Sequence, residues 1–286
     1  MAVMLVTLQG SCISDGGSRS VDLDVTQEQK AADVVRQKSI EILRDALDSD
    51  GFWISMHAAE ALILAGQQDR VRASLEPRLL SETDDRKRCG LARELIRAGD
   101  NSAMSVLEGV LRKKDTYAHV HAMESLYKVG QISPGDAYQQ ATQQDLNHGL
   151  RIWASATLAR RGDEGALAII SAYLDHQDPM ARSLAGYVLG QLGDRSAIDK
   201  IRRNHLNAEE PIQRFFNVAA LVYLDDSALH AELQDYLLHA DAGIRALAAN
   251  LLAETRLDSY DAVLHSNLED SDPDVRVRSA DAILRF

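Results

Sequence analysis

From residue 52 to the C-terminus the apolar residues recur three and four positions apart in eight blocks, the spacing that gives a helix one buried face. Aligned on one apolar reference position, the blocks centre on Leu62, Leu95, Leu126, Leu158, Leu189, Leu221, Leu252 and Ile283, which lie 31 to 33 residues apart. Self-similarity at a fixed period of this length marks a stack of like units. Residues 179 to 194 show the layout most clearly, with Arg182 seven before the reference, Ala185 and Gly186 four and three before it, and Gly193-Asp194 after it. Most blocks keep a small residue three before the reference (Ala59, Ala92, Ser155, Gly186, Ala249, Ala280), which lets a neighbouring helix approach closely.

Both ends of these helices are written in the chain. Pro179, Pro211 and Pro273 stand at the starts, where a missing amide proton costs nothing. Gly66, Gly99, Gly130, Gly162 and Gly193 stand at the ends, where a left-handed residue is wanted. Weaker amphipathic stretches fill the intervals, predicting helices over 31–48, 70–80, 103–113, 135–145, 166–174, 197–204, 229–238 and 261–268. Two helices per period make each repeat a helical hairpin, and no strand-like alternation is sustained.

The run from Asp178 to Arg182, Asp-Pro-x-x-Arg, followed by an Ala-rich helix and Leu-Gly-Asp, resembles HEAT-like repeats, and more narrowly the bacterial variety of phycobilisome (PBS) lyases. The resemblance covers roughly residues 30–286. It implies an all-α fold, a right-handed α-solenoid of about eight HEAT-like helix pairs, with the second helix of each pair on the concave side. Arg stands seven before the reference in six of the eight blocks (Arg88, Arg151, Arg182, Arg214, Arg245, Arg276); the resemblance implies that such arginines bond carboxylates or carbonyls of the adjacent turn as a ladder, the role expected of Arg182, Arg245 and Arg276. An array of this kind is one elongated body in which each repeat touches only its neighbours. The expected division is therefore residues 1–26 as an apolar start and flexible linker, and 27–286 as the repeat array. The last block ends at Phe286 without a polar cap, so that end is expected either to fray or to serve as a contact surface.

Composition narrows the partners. A hydrophobic content of 45% with only 5% aromatics suits helix on helix packing. The net charge of −12 and pI near 5.2 argue against nucleic acid, which demands a basic surface. The short basic runs 86–88, 112–114 and 202–203 sit at helix ends, where the helix dipole accommodates them. No stretch reaches the length of a membrane span. Residues 1–12 look like the tail of a bacterial lipoprotein signal ending at Cys12, although Gln9 stands where an aliphatic residue is usual and no basic residue precedes the run. A lipid anchor at Cys12 in the periplasm and a plain cytoplasmic terminus both stay open. Cys89, the other cysteine, reads as a small buried side chain.

Candidate chemistry lies where the repeats depart from their consensus. Five before the reference stand His57, Gly90, His121, Trp153, Leu184, Phe216, Leu247 and Arg278; two before it stand Glu60, Arg93, Glu124, Ala156, Tyr187, Ala219, Asn250 and Asp281. Positions three apart share one helix face, so His57 with Glu60, Arg93, His121 with Glu124, Trp153, Tyr187 and Phe216 form one polar and aromatic surface, with later repeats plainer. No metal site or cofactor is expected: His119 and His121 point to different faces, and the His-Glu dipeptides of the iron-binding HEAT-repeat hydroxylases are missing. Neither a glycine-rich phosphate loop nor a nucleophile elbow is present.

Two functional readings follow. In the first the chain is a non-enzymatic scaffold gripping a protein partner on its concave face, with Trp153, Tyr187 and Phe216 as anchors and Arg93, Glu60 and Glu124 fixing register. In the second it is an enzyme, or a lyase or chaperone-like protein, acting on a small or oligomeric ligand, a bilin or a carbohydrate. There His57 or His121 acts as acid or base, oriented by Glu60 or Glu124, beside Arg93 or Arg151 for an anionic group.

Overall fold

A computed structural model describes residues 18–132, 136–143, 147–226, 229–257 and 260–286, with side chains from Gln29 onward. Among the described residues the chain is all-helical, with sixteen α-helices and no strand. The first, α1 (Ser18–Leu47), begins inside the stretch read as linker; Cys12 and the lipoprotein reading lie outside the described residues. The reference blocks form α2 (Phe52–Leu64), α4 (Asp85–Arg97), α6 (His119–Val129), α8 (His148–Ala159), α10 (Pro179–Leu192), α12 (Pro211–Tyr223), α14 (Ala242–Thr255) and α16 (Pro273–Arg285). Between them run α3 (Gln68–Ser81), α5 (Met104–Leu111), α7 (Ala137–Ala141), α9 (Glu164–Ala172), α11 (Ile198–Leu206), α13 (His230–Leu237) and α15 (Asp261–Asn267). No helix among the described residues is long and apolar enough to cross a membrane.

The local punctuation follows the sequence. Asp84, Asp178, Asp241 and Asp272 cap α4, α10, α14 and α16, each carboxylate accepting from two amides of the first turn. Such caps satisfy donors the helix cannot pair itself. The five predicted stop glycines all have positive φ, and where the glycine is missing, Asp225 (φ 58°) and Arg256 (φ 55°) take the left-handed place. Arg182, Arg245 and Arg276 donate to the loop carbonyls of residues 176 and 177, 239 and 240, and 270 and 271. Arg214 does so to Ala208 O, and Arg245 also makes a two-pronged contact with Asp270 at 2.9 and 2.8 Å. Arg88 bonds Asp85.

The even-numbered helices form one layer: α2 packs on α4, and so on through α6, α8, α10, α12, α14 and α16, while the odd-numbered helices cover their outer side. α10 and α12 approach closely: a Cβ built on Gly190 would lie 2.7 Å from the Cα and carbonyl oxygen of Ala220. At the far end α16 packs not only on α14 and α15 but also on α1 and α2. The inner layer is therefore a closed ring. The expectation that each repeat touches only its sequence neighbours fails here, since α16 meets α1 and α2 as well as α14 and α15. The bare C-terminal block is a contact surface: Val277 and Ala280 of α16 share one buried core with Leu43 and Leu47 of α1.

Candidate functional site

The closed ring leaves a central cavity of ≈ 660 Å³. Its wall is built from residues of all eight inner helices. The position five before the reference contributes His57, Trp153, Leu184, Phe216, Leu247 and Arg278; the position two before it contributes Glu60, Glu124, Tyr187 and Asn250. A third position, two after the reference, contributes Arg97, Lys128, Arg160, Gln191, Tyr223 and Glu254. These three positions are successive members of one helix stripe, three and then four residues apart. Tyr127, Gly243, Ala246 and Asp274 complete the lining.

Six of the residues singled out from sequence thus meet in one place: His57, Glu60, Glu124, Trp153, Tyr187 and Phe216. Three do not line it. Arg93 is buried and paired with Glu94 at 2.6 Å. The ring of His121 stacks on Trp53, with centroids 6.0 Å apart. Arg151 lies beside Tyr173 in a separate hollow of ≈ 580 Å³ that also holds His148 and His176. The residues missed at the cavity, Arg97, Lys128, Arg160, Gln191, Tyr223 and Glu254, were within reach of the repeat comparison, since carrying the stripe one further turn picks out all six. Asp274 and Arg278 face His57 and Glu60 only because the ring closes.

The lining divides into two arcs. From α16 through α2 and α4 to α6 it is ionic. Arg97 donates to Glu60 at 2.9 Å and reaches Glu94, and Arg278 stands 3.8 Å from the same Glu60. Lys128 pairs with Glu124 at 2.8 Å. His57 Nδ1 lies 2.6 Å from Asp274 Oδ1. From α8 through α10 to α12 the arc is aromatic and apolar: Tyr187 packs edge-on against Phe216 and Tyr223 at 5.3 and 5.8 Å, and Trp153 packs on Tyr127 at 5.1 Å. On α14, Asn250 accepts from Arg278 at 2.6 Å and donates to Glu254 at 3.0 Å, and Tyr223 also donates to Glu254.

These surroundings fix the charges. Burial alone would raise the Glu60 carboxyl, but Arg97, Arg278 and Arg93 outweigh it and hold the group well below the usual carboxylate range. Glu124 is held at about 2, burial again being overcome by Lys128 and Arg93. Asp274 is lowered, since the hydrogen bond from His57 and the nearby positive charge exceed the effect of its burial. Burial and Arg278 lower His57, and Asp274 only partly opposes them. A neutral imidazole beside an ionised carboxylate must place its proton on Nδ1, leaving Nε2 as an acceptor. Burial pushes the Tyr187 and Tyr223 phenols up, so both stay protonated.

Chemically, the cavity offers fixed, mostly paired charges and hydroxyls with one neutral imidazole base. At Glu60, Glu124 and Asp274 burial is outweighed by neighbouring positive groups, so these three carboxyls serve as acceptors rather than as the protonated acids of general acid catalysis. Among the described residues no group of three or more His, Cys, Asp and Glu side chains comes together as metal ligands would. Cys89 is fully buried in the core and its thiol is pushed up to about 12 by burial, away from any reactive range. No family model matches the chain, and no curated protein matches it.

Proposed function

We propose that the chain is a HEAT-like helix-hairpin array whose ends have met, and that it works as a binding protein holding a small or oligomeric ligand in the central cavity. The observation that carries this reading is the convergence of one stripe from all eight inner helices on a single cavity of ≈ 660 Å³, within the usual range for small-ligand sites. Convergence of polar groups opposite an aromatic wall is the arrangement such sites share. A protein partner would reach these residues only with a short protruding segment, so the concave scaffold reading narrows to the grip of a few residues rather than of a domain.

The test is capture from cell extract by the full chain and by a Leu247→Trp variant, which fills the cavity without touching its charges. Released small molecules and captured proteins are both identified by mass spectrometry. A small molecule held by the natural chain and lost by the variant is the expected result. A partner protein held equally by both would move the binding surface outside the cavity.

One observation favours a second reading. Asp274 orients His57 and leaves Nε2 as a base, so the alternative is an enzyme that takes a proton from its bound ligand. His57→Gln would then abolish turnover of the captured ligand while leaving its binding intact.

A further inference from the structure

Resting on that cavity reading, we infer that the ligand is a neutral saccharide, held between the aromatic and ionic arcs, with Trp53 as a stacking platform at the cavity mouth. Charge balance comes first. Four acids (Glu60, Glu124, Glu254, Asp274) and four bases (Arg97, Lys128, Arg160, Arg278) line the cavity. Glu60, Glu124 and Asp274 are engaged by Arg97, Lys128 and His57, and Arg160 lies over the Tyr127 ring, bonding its carbonyl oxygen at 2.7 Å. Glu254 is held by the neutral Asn250 and Tyr223, so Arg160 and Glu254 stand as one base and one acid outside these ion pairs, and a ligand carrying several like charges would have to break pairs to be neutralised. A hydroxyl needs no counter-charge: it donates to an ionised carboxylate and accepts from a guanidinium at once. A row of paired Glu and Arg side chains presents those two partners side by side.

Shape supplies the second argument. A sugar ring carries hydroxyls at its edge and a C–H face that packs on aromatic side chains. Tyr187 and Phe216 offer aromatic surface on the arc opposite the ion pairs, where Trp153, 7% exposed and packed on Tyr127, also reaches the lining. Because Glu60 and Glu124 are held ionised, the cavity presents them as acceptors and not as acids that would cleave a glycosidic bond. The inference is of retention, not hydrolysis.

The third argument is Trp53, which core packing does not require. It is 41% exposed, yet held in place: Phe52 meets it edge-on at 4.9 Å, and it stacks on His121 with 21° between the rings. It reaches α6 from α2 by crossing α4 at Gly90, where any Cβ would come within 3.3 Å of both Phe52 and Trp53. Trp53 stands one turn N-terminal to His57 on the same helix face, at the repeat position that in α14 and α16 is filled by the lining residues Gly243 and Asp274. An exposed indole there sets a separate aromatic surface beside the ionic arc, across the ring from Tyr187 and Phe216, giving an oligosaccharide a second ring to stack on.

The experiment is a glycan array bearing neutral and acidic glycans, probed with the full chain, followed by titration calorimetry with whichever neutral glycan binds. Neutral glycans are expected to bind. Trp53→Ala should then weaken affinity roughly tenfold, the loss typical of an anchoring aromatic, Trp53→Phe should restore most of it, and Glu60→Gln should weaken it with the helical circular dichroism unchanged. Binding confined to acidic glycans, or insensitive to Trp53→Ala, overturns the inference. If no neutral glycan binds while a small molecule is still captured in a Leu247→Trp-sensitive way, the saccharide is wrong and the cavity reading stands; if that capture also fails, both fall.

Discussion

The step from α10 to α12 and the step from α16 back to α2 join the same kind of helix by opposite means. At the first, glycine meets backbone: Gly190 lies against Ala220, and nearby a Cβ on Gly186 would meet Asn217 at 3.4 Å. At the second, charged side chains meet: Lys38 of α1 with Glu269 beside α16, His57 with Asp274, and Glu60 with Arg278. Sequence neighbours are delivered to one another by a short connection, so shape alone suffices between α10 and α12. No connection delivers α16 to α2, and directional charge selects the register there, the use of ionic groups best attested in helical assemblies.

The comparison can be broken most severely at Glu94. Its side chain is fully buried between Arg93 and Arg97, and through Arg97 it is tied to Glu60 and the closing seam. Glu94→Ala would leave two guanidiniums without that partner and should cost about 3–5 kcal/mol, measured by urea unfolding. Next comes Gly190→Ala, which forces α10 and α12 apart and should cost about 1–3 kcal/mol with no change in the dependence of stability on pH. An effect under half a kcal/mol there would mean the helices are free to separate.

Asp274→Asn probes the closing seam itself. The His57 and Asp274 side chains are partly exposed, 21% and 28%, so the loss should be about 1 kcal/mol, with a larger radius of gyration in solution scattering if the ring opens. The same seam sets the response to acid. His57 is lowered from 6.5 in the folded chain by burial and by Arg278, so the unfolded chain takes up the proton first, and stability falls as pH drops below about 6.5. The carboxylates act in the same direction lower down: Glu124 sits at about 2 against an ordinary 4.5, so its contribution is complete above 4.5 and drains away as pH falls towards 2. Thermal melts from pH 8 to 3 should show both losses, and His57→Asn should shrink the first, leaving the share of His121, which burial also lowers. A melting temperature that rises between pH 7 and 5.5 would contradict this assignment.

The smallest effect is a control outside both seams. Arg256 occupies the left-handed stop that glycine holds in five other repeats, so Arg256→Gly should stabilise the chain by under about 1 kcal/mol. It should leave the acid response unchanged.

Much of this was legible because helix boundaries and buried faces are local matters. Pro179, Asp178 and Gly193 announce where α10 starts and stops, and the small residues announce close packing. The stripe of His57, Glu60, Glu124, Trp153, Tyr187 and Phe216 was readable for the same reason. What eluded the pattern is relational. Arg93 shares its repeat position with Glu60 and Glu124, but adjoining Glu94 captures its guanidinium below the surface. His121 shares its position with His57, but Trp53 comes across the side-chain-free Gly90 to stack on it. The repeat of Asp274 and Arg278, one of those that looked plain, matters because α16 meets α1 and α2, a contact that leaves no mark on hydrophobic periodicity.

Closure has a consequence for assembly of the chain. Contacts within a helical hairpin are local and form early, whereas His57 and Asp274 are 217 residues apart and Lys38 and Glu269 are 231 apart, so their union bears the largest loop-closure entropy in the molecule. Until α16, the last of the sixteen helices to be synthesised, is in place, α1 and α2 present an uncovered apolar edge. In a crowded solution of unclosed chains, α15–α16 of another copy would compete for that edge with the chain's own. At high concentration the ring is therefore poised to exchange ends and grow as linked dimers or longer chains, and dilution during refolding should favour the single closed molecule.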